Sequence, residues 1–286
     1  STAGAAPEGR SRGNSSRAFG SLAGTWLSKR RILPCLLPLL LFTCWNLVTS
    51  SGLAPEYLLP SPRTVWETVC AYMGAVSEGY ADAYAGRFWG DLSASLGRVG
   101  SGYLLAVIPG VALGLASGRS PALASLLSPI INGVRAVPGI SWLPLALLWL
   151  GIGFRATVFL IALAGFFPAY LNAAAGAASV PPVLIRAGRM LGFGRRAIFF
   201  RVVIPSAMPQ VRTGLRVALG MSFSYLVLGE LTGVPDGLGA MIMDARLAGR
   251  VDLLVSGIIL IALVGWLCDV LLMRALSAVS VSLRRQ

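Results

Sequence analysis

Polar and apolar positions in this chain alternate on a scale of about twenty residues. Runs dominated by Leu, Ile, Val, Ala, Phe and Gly cover 32–49, 96–116, 123–150, 156–178, 211–231 and 253–273. About 20 apolar residues in a helix match the ~30 Å hydrocarbon core of a bilayer. Inside that core the backbone must satisfy its own hydrogen bonds, which helices do and open strands do not. The pattern therefore predicts an all-α polytopic membrane protein with about six transmembrane helices.

The six runs differ in character. Residues 96–116 are thick with Gly, Ala and Ser, the residue types that let membrane helices approach closely. The run 123–150 contains Pro129, Pro138 and Pro144 and predicts a kinked or broken helix, tolerated where backbone is buried or faces a cavity. The first run follows a basic tail and contains Pro34 and Pro38. Its layout is shared with signal peptides, but its length and the want of a clear small-residue cleavage site favour an uncleaved signal anchor.

Charge orients the runs. Only 12% of the 286 residues are charged while 56% are hydrophobic, and the formal net charge is +13. Basic residues gather in 1–31, at Arg119, in 179–216 and at Arg284 and Arg285. Residues 51–92 instead hold Glu56, Glu67, Glu78, Asp82 and Asp91 against Arg63 and Arg87. Basic loops stay on the cytoplasmic side. Both termini are thus expected inside, with no role for nucleic acid in explaining the arginines. The expected organisation is a largely disordered basic cytoplasmic tail (1–31), a membrane domain (32–275) and a cytoplasmic tail (276–286). Within the membrane domain, 51–92 is a periplasmic or interfacial segment and 179–208 a cytoplasmic loop.

Little catalytic chemistry is available. The chain has no histidine, and its four cysteines, Cys35, Cys44, Cys70 and Cys268, are scattered without a C-x-x-C pair, so neither a disulfide framework nor a metal site is indicated. There is no phosphate-binding G-x-x-x-x-G-K-[ST] loop, and Lys29 is the single lysine. An intramembrane enzyme would have to pair Asp269 with Glu230, which lie near opposite membrane faces. A secondary transporter would want midplane carboxylates and internal repeats, and neither is seen.

The distinctive stretch is 179–216, with seven arginines and no acidic residue. Ser179 is a candidate helix cap, Pro181 and Pro182 suit a first helical turn, and Val183, Leu184, Ala187 and Leu191 recur at helical spacing opposite Arg186 and Arg189. Gly192 and Gly194 end this helix, and a second short amphipathic run from Arg195 ends at Pro205. Arg186-Ala187-Gly188, Gly192, Val202 and Ile204-Pro205 keep the spacing of the cytoplasmic signature of binding-protein-dependent ABC importer permeases: Glu-Ala-Ala, three residues, Gly, nine residues, Ile, one residue, Leu-Pro. Arg186 departs from its Glu, and Gly188 from its second Ala.

The resemblance extends over about residues 58–275. Leu59 to Thr68, the Ser95-Leu96-x-Arg98 entry, Arg135-x-x-Pro138 with Trp142 and Pro144, and Gly237-Leu238-Gly239 are similar to permeases for aliphatic sulfonates, taurine and nitrate. It implies a type I ABC importer permease fold in the bacterial inner membrane, moving a small anion. A vitamin or pyrimidine-precursor importer is the alternative. It further implies a permease homodimer, two copies of an ABC ATPase subunit carrying ATP and Mg, a periplasmic or lipid-anchored binding protein, and no cofactor on this chain. Arg186, Ala187, Gly188, Arg189, Leu191, Gly192 and Pro205 would form the coupling helix region that docks on the ATPase. Arg135, Asn172, Ser222, Tyr225 and Glu230 are candidates for the translocation path or its gate. Arg135 lines that path, pairs with an acidic group or extends to the interface. Asn172 contacts substrate or bonds between helices. Glu230 pairs with a basic group, gates the outer mouth or is a solvated interfacial carboxylate. Asp269 and Arg274 are close enough in sequence to pair locally.

Overall fold

A computed structural model describes residues 36–53, 55–74 and 84–284. The expected tail 1–31 lies outside them. The chain divides into two compact units, residues 1–62 and 63–286. The first holds α1 (Leu36–Ser50), a short apolar helix whose Trp45 indole donates to the Pro60 carbonyl at 3.1 Å.

The second unit contains α2 (Pro62–Met73), α3 (Phe88–Ser117), α4 (Pro121–Ala136), a 3-10 turn (Gly139–Trp142) and α5 (Leu143–Leu150). There follow α6 (Phe154–Ala178), α7 (Pro182–Met190), α8 (Arg195–Ile198), a π turn (Phe199–Val203), α9 (Ile204–Glu230), α10 (Leu238–Leu247) and α11 (Val251–Arg284). Helices α3, α6 and α11 are each long and apolar enough to cross a membrane, and α4 with the Gly139–Leu150 segment makes a fourth candidate bent by 87°. Of the other expected crossings, α1 is short. Helix α9 is more polar because Arg212 and Arg216 lie on it, reaching the Leu276 carbonyl and the Asp269 carboxylate of α11. Asp269 thus pairs across helices with Arg216 rather than locally with Arg274.

Helix α6 sits between α3 and α9, and small residues set the distances. Gly102, Ala106, Gly110 and Gly114 recur every four residues on α3, one stripe along a helix of 3.6 residues per turn. A Cβ on Gly114 would stand 2.5 Å from the Tyr170 carbonyl oxygen and 2.8 Å from the Ala173 Cβ. On the other side of α6, a Cβ on Gly229 of α9 would stand 2.7 Å from the Thr157 methyl. Lipid is as apolar as the side chains it touches, so close van der Waals packing is what holds such helices together.

The break after α4 has a local cause. A residue before proline is pushed out of the helical region, and Val137 is extended with ψ 121° ahead of Pro138. Pro144 then stands in the first turn of α5, where its missing N–H is no loss. Past Ala178 the helix signals differ from the sequence expectation. Ser179 closes α6, donating its hydroxyl to the Gly176 carbonyl, and Pro181 stands at the cap of α7. Pro205 does not end the second amphipathic run. The Ile204 N–H bonds the Phe199 carbonyl five residues back, and this wider turn carries the chain into α9 with Pro205 in its first turn, so the helix begins seven residues before the expected 211.

Replacing Gly114 with Leu should destabilise the detergent-solubilised protein by about 1–3 kcal/mol, the usual cost of overpacking. Gly100→Leu on the same helix, with open space around it, should leave the thermal midpoint in place. Equal midpoints for the two variants would contradict the packing stripe.

Candidate functional site

Three of the five residues expected on a path converge. A cavity of about 460 Å³ lies between the end of α4, the 3-10 turn, α6 and α9, and Arg135, Asn172 and Tyr225 line it together with Trp142, Phe167 and Pro168. Arg135 stands on the last turn of α4, at the far end of a 16-residue helix from Arg119. A cation suits this position because unpaired carbonyls give a helix C-terminus partial negative charge. Its side chain is exposed and points a guanidinium into otherwise apolar surroundings. The Asn172 amide donates to the Pro168 carbonyl at 2.9 Å within α6. Its amide nitrogen is therefore anchored by its own helix. Tyr225 is half-buried and packs with Trp142 against Ala146 and Leu160.

Ser222 lines no part of this cavity. It is fully buried and returns its hydroxyl to the Ala218 carbonyl at 2.8 Å. Glu230 belongs to another assembly. Its carboxylate is wholly buried and accepts from Arg98 Nη1 at 2.7 Å, from Ser95 Oγ at 2.8 Å and from the Gly239 N–H at 2.8 Å. Arg98 also meets Asp236, through its carbonyl at 2.9 Å and its carboxylate. Beside them, buried Asp91 accepts from the Gly237 N–H at 2.9 Å and from the Tyr72 hydroxyl at 2.7 Å. The N–H groups of the α10 cap and first two residues thus each find a buried acceptor: Gly237 on Asp91, Leu238 on Ser95, Gly239 on Glu230. Burial, and then the Asp91 carboxylate, push the Tyr72 phenol far above its usual range, so it stays protonated as a donor.

Sequence reasoning marked Ser95 and Arg98 only as points of resemblance and gave Asp91 no role in a site. Their spacing carried a signal. Asp91, Ser95 and Arg98 fall on one face of a helix, and three polar side chains on one stripe of an apolar helix require partners when buried. What the spacing does not name is the partner, 132 residues away in sequence.

In the loop between α6 and α9, Gly192 adopts φ +79°. The Phe193 N–H bonds the Gly188 carbonyl and the Gly192 N–H bonds the Arg189 carbonyl, both at 3.0 Å. This paired closure ends α7 and needs a left-handed residue at Gly192. Ile185 and Gly188 face inward. Val183, Leu184, Met190 and Leu191 are 58%, 44%, 87% and 73% exposed, so most of the apolar face predicted for α7 is uncovered within this chain. Arg186, Ala187, Arg189 and Pro205 are exposed with it. A Cβ on Gly188 would make ordinary contact with Ile198 at 3.4 Å and Phe193 at 3.8 Å, leaving room for the alanine of the signature.

The binding-protein-dependent transport system inner membrane component family matches residues 110–285. The Escherichia coli taurine transport system permease protein TauC is 38% identical over 80% of this chain and 82% of its own length. The Bacillus subtilis putative aliphatic sulfonates transport permease protein SsuC is 32% identical over 82% of this chain and 81% of its own. The nitrate import permease protein NrtB of Leptolyngbya laminosa is 31% identical over 92% of both chains. Among solved structures, an inward-facing conformation of the MetNI methionine ABC transporter matches with a TM-score of 0.58 at 19% identity, over 68% of this chain and 96% of that one.

Glu230→Ala should cost about 3–5 kcal/mol, because it strands a buried guanidinium and an α10 N–H. Arg216→Ala, which breaks an ion pair with an exposed arginine, should cost far less. Comparing the thermal unfolding of the two variants checks this. At the other end of the bundle, Gly188→Ala should stabilise α7 by about 0.5–1 kcal/mol, while Gly192→Val should lower stability through its left-handed φ. Limited proteolysis of the loop would register opposite shifts.

Proposed function

Because this chain belongs to the family of binding-protein-dependent transport system inner membrane components, and is a permease of the ABC importer class in the sulfonate, taurine and nitrate branch, we propose that it moves a small oxyanion-bearing solute. The solute, a sulfonate, taurine or nitrate, is handed over by a periplasmic or lipid-anchored binding protein and passes through the cavity where Arg135, Asn172 and Tyr225 converge. That convergence carries the reading. An apolar cavity with one guanidinium attracts an anion without holding it in a cage of charges, and a path must release what it binds. Asn172 adds one acceptor, which suits the ammonium of taurine. The ring of Trp142 and Phe167 beside them favours, as a second reading, a planar vitamin or pyrimidine precursor that would stack there.

Energy enters from another subunit. ATP and Mg sit on an ABC ATPase, two copies of which dock on the loop 179–208 of a permease pair in the bacterial inner membrane. The uncovered Val183, Leu184, Met190 and Leu191, ringed by arginines, support that docking, since apolar side chains at a protein-lined site are covered by a partner. Closure of the ATPases would then displace α7, and the bundle alternates between inward and outward access as rigid bodies. Arg186 stands where the signature has Glu, so the ATPase surface facing it should offer acceptors rather than a cation.

Reconstitution with the ATPase and the binding protein tests the assignment. Arg135→Gln should reduce uptake of the anionic solute about tenfold, the scale of one charge-assisted hydrogen bond, with ATP hydrolysis still stimulated by loaded binding protein. Unchanged uptake would remove Arg135 from the path. Uptake that persists without ATP and follows an ion gradient would overturn the importer mechanism.

A further inference from the structure

On the side of the bundle that carries the coupling loop, a second cavity of about 310 Å³ opens between Arg119, Arg189 and Arg195. The three guanidiniums come from three elements: the α3–α4 turn, α7 and the first residue of α8. Among the described residues none of the three makes an ion pair. The floor is formed by Ile185, Ile198 and Val203, each at most 8% exposed. Three cations around one cavity repel each other until an anion joins them.

We propose that this cavity seats the phosphate of an anionic phospholipid, with its glycerol and first acyl carbons over the aliphatic floor. Two features select a lipid over free phosphate. The floor residues bring no polar side chain with which to hold a small hydrated anion. The cavity also lies beside the ends of long helices: Arg119 follows α3, which is long and apolar enough to cross a membrane, and Val203 precedes α9; the end of a crossing helix is where headgroups are met. Basic pockets at the cytoplasmic ends of membrane helices suit such headgroups. The inference rests on the chain's membrane embedding and not on the solute; Arg189 and Arg195 belong to the loop proposed above to meet the ATPase, and the test below uses this chain alone, so its outcome does not turn on that docking.

Native mass spectrometry of the full chain in detergent decides it, with phosphatidylglycerol, phosphatidylcholine of the same acyl chains and inorganic phosphate as separate probes. The wild type should retain phosphatidylglycerol over phosphatidylcholine. Arg119→Gln combined with Arg195→Gln should weaken phosphatidylglycerol about thirtyfold, the effect of two basic residues at an anionic surface. Arg155→Gln with Arg246→Gln, removing the same charge elsewhere, should not. The Lys versions of Arg119 and Arg195 should keep most of the preference and guard against a folding artefact. Equal retention of the two lipids by the wild type, or by the Lys variant, would overturn the proposal. So would displacement of phosphatidylglycerol by millimolar inorganic phosphate, the signature of a free-anion site.

Discussion

The arrangement of this bundle depends on one buried ion pair. Arg98 and Glu230 are 4% and 0% exposed and meet at 2.7 Å. Isolated, either charge would be costly in an apolar interior. Together the charges are compensated, and Ser95 and the Gly239 N–H add donors to the Glu230 carboxylate, while Arg98 Nε is left buried without a partner among the described residues. The geometry is demanding enough that α3, α9 and the start of α10 have one way to fit. Removing one partner of such a pair is costly because it leaves the other charge buried and alone, so the pair holds α3 and α9 in this register. Asp236 is the one member reachable from solvent, its side chain 52% exposed, so one edge of the cluster touches water while its centre does not.

The small-residue stripes complement that clamp. Glycines on α3 and α9 bring both helices against α6 at distances a methyl group would prevent, and close contact replaces the hydrophobic driving force that lipid removes. Helix α2 joins the same unit through polar contacts. Thr68 donates to Asp252, which is also held by Arg250, and Tyr72 donates to Asp91. Polar residues therefore tie α2, α3, α10 and α11 together at the end of the bundle that holds the Arg98–Glu230 pair, while apolar contact spaces the core.

Two regions are left open by this packing. One is the cavity below the break at Val137–Pro138, where the chain gives up helical hydrogen bonds and exposes Arg135 beside aromatic rings. The other is the loop around Gly192, whose apolar side chains are uncovered. Both regions lie outside the closely packed contacts of α3, α6 and α9.

Much of this was legible in the residues alone. Hydrophobic run length determined the helical membrane class, since lipid admits no other continuous backbone for such runs. The end of α7 at Gly192 was legible because a left-handed glycine acts on backbone geometry locally, whereas the expected end of the second run at Pro205 was not borne out. Arg135 and Asn172 could be singled out as polar groups inside apolar runs, but their shared cavity with Tyr225 could not. The tertiary structure decided what Glu230 and Asp269 pair with, that Ser222 is spent on its own helix, that Ser179 closes α6 rather than opening α7, and that α9 runs through Pro205. The physical reason is the same in each case. Periodicity and turn chemistry are properties of neighbours in sequence. The partner of a buried charge, or the acceptor of an orphan N–H, is set by which helices come within 3 Å of each other, and that is known only once the bundle has closed.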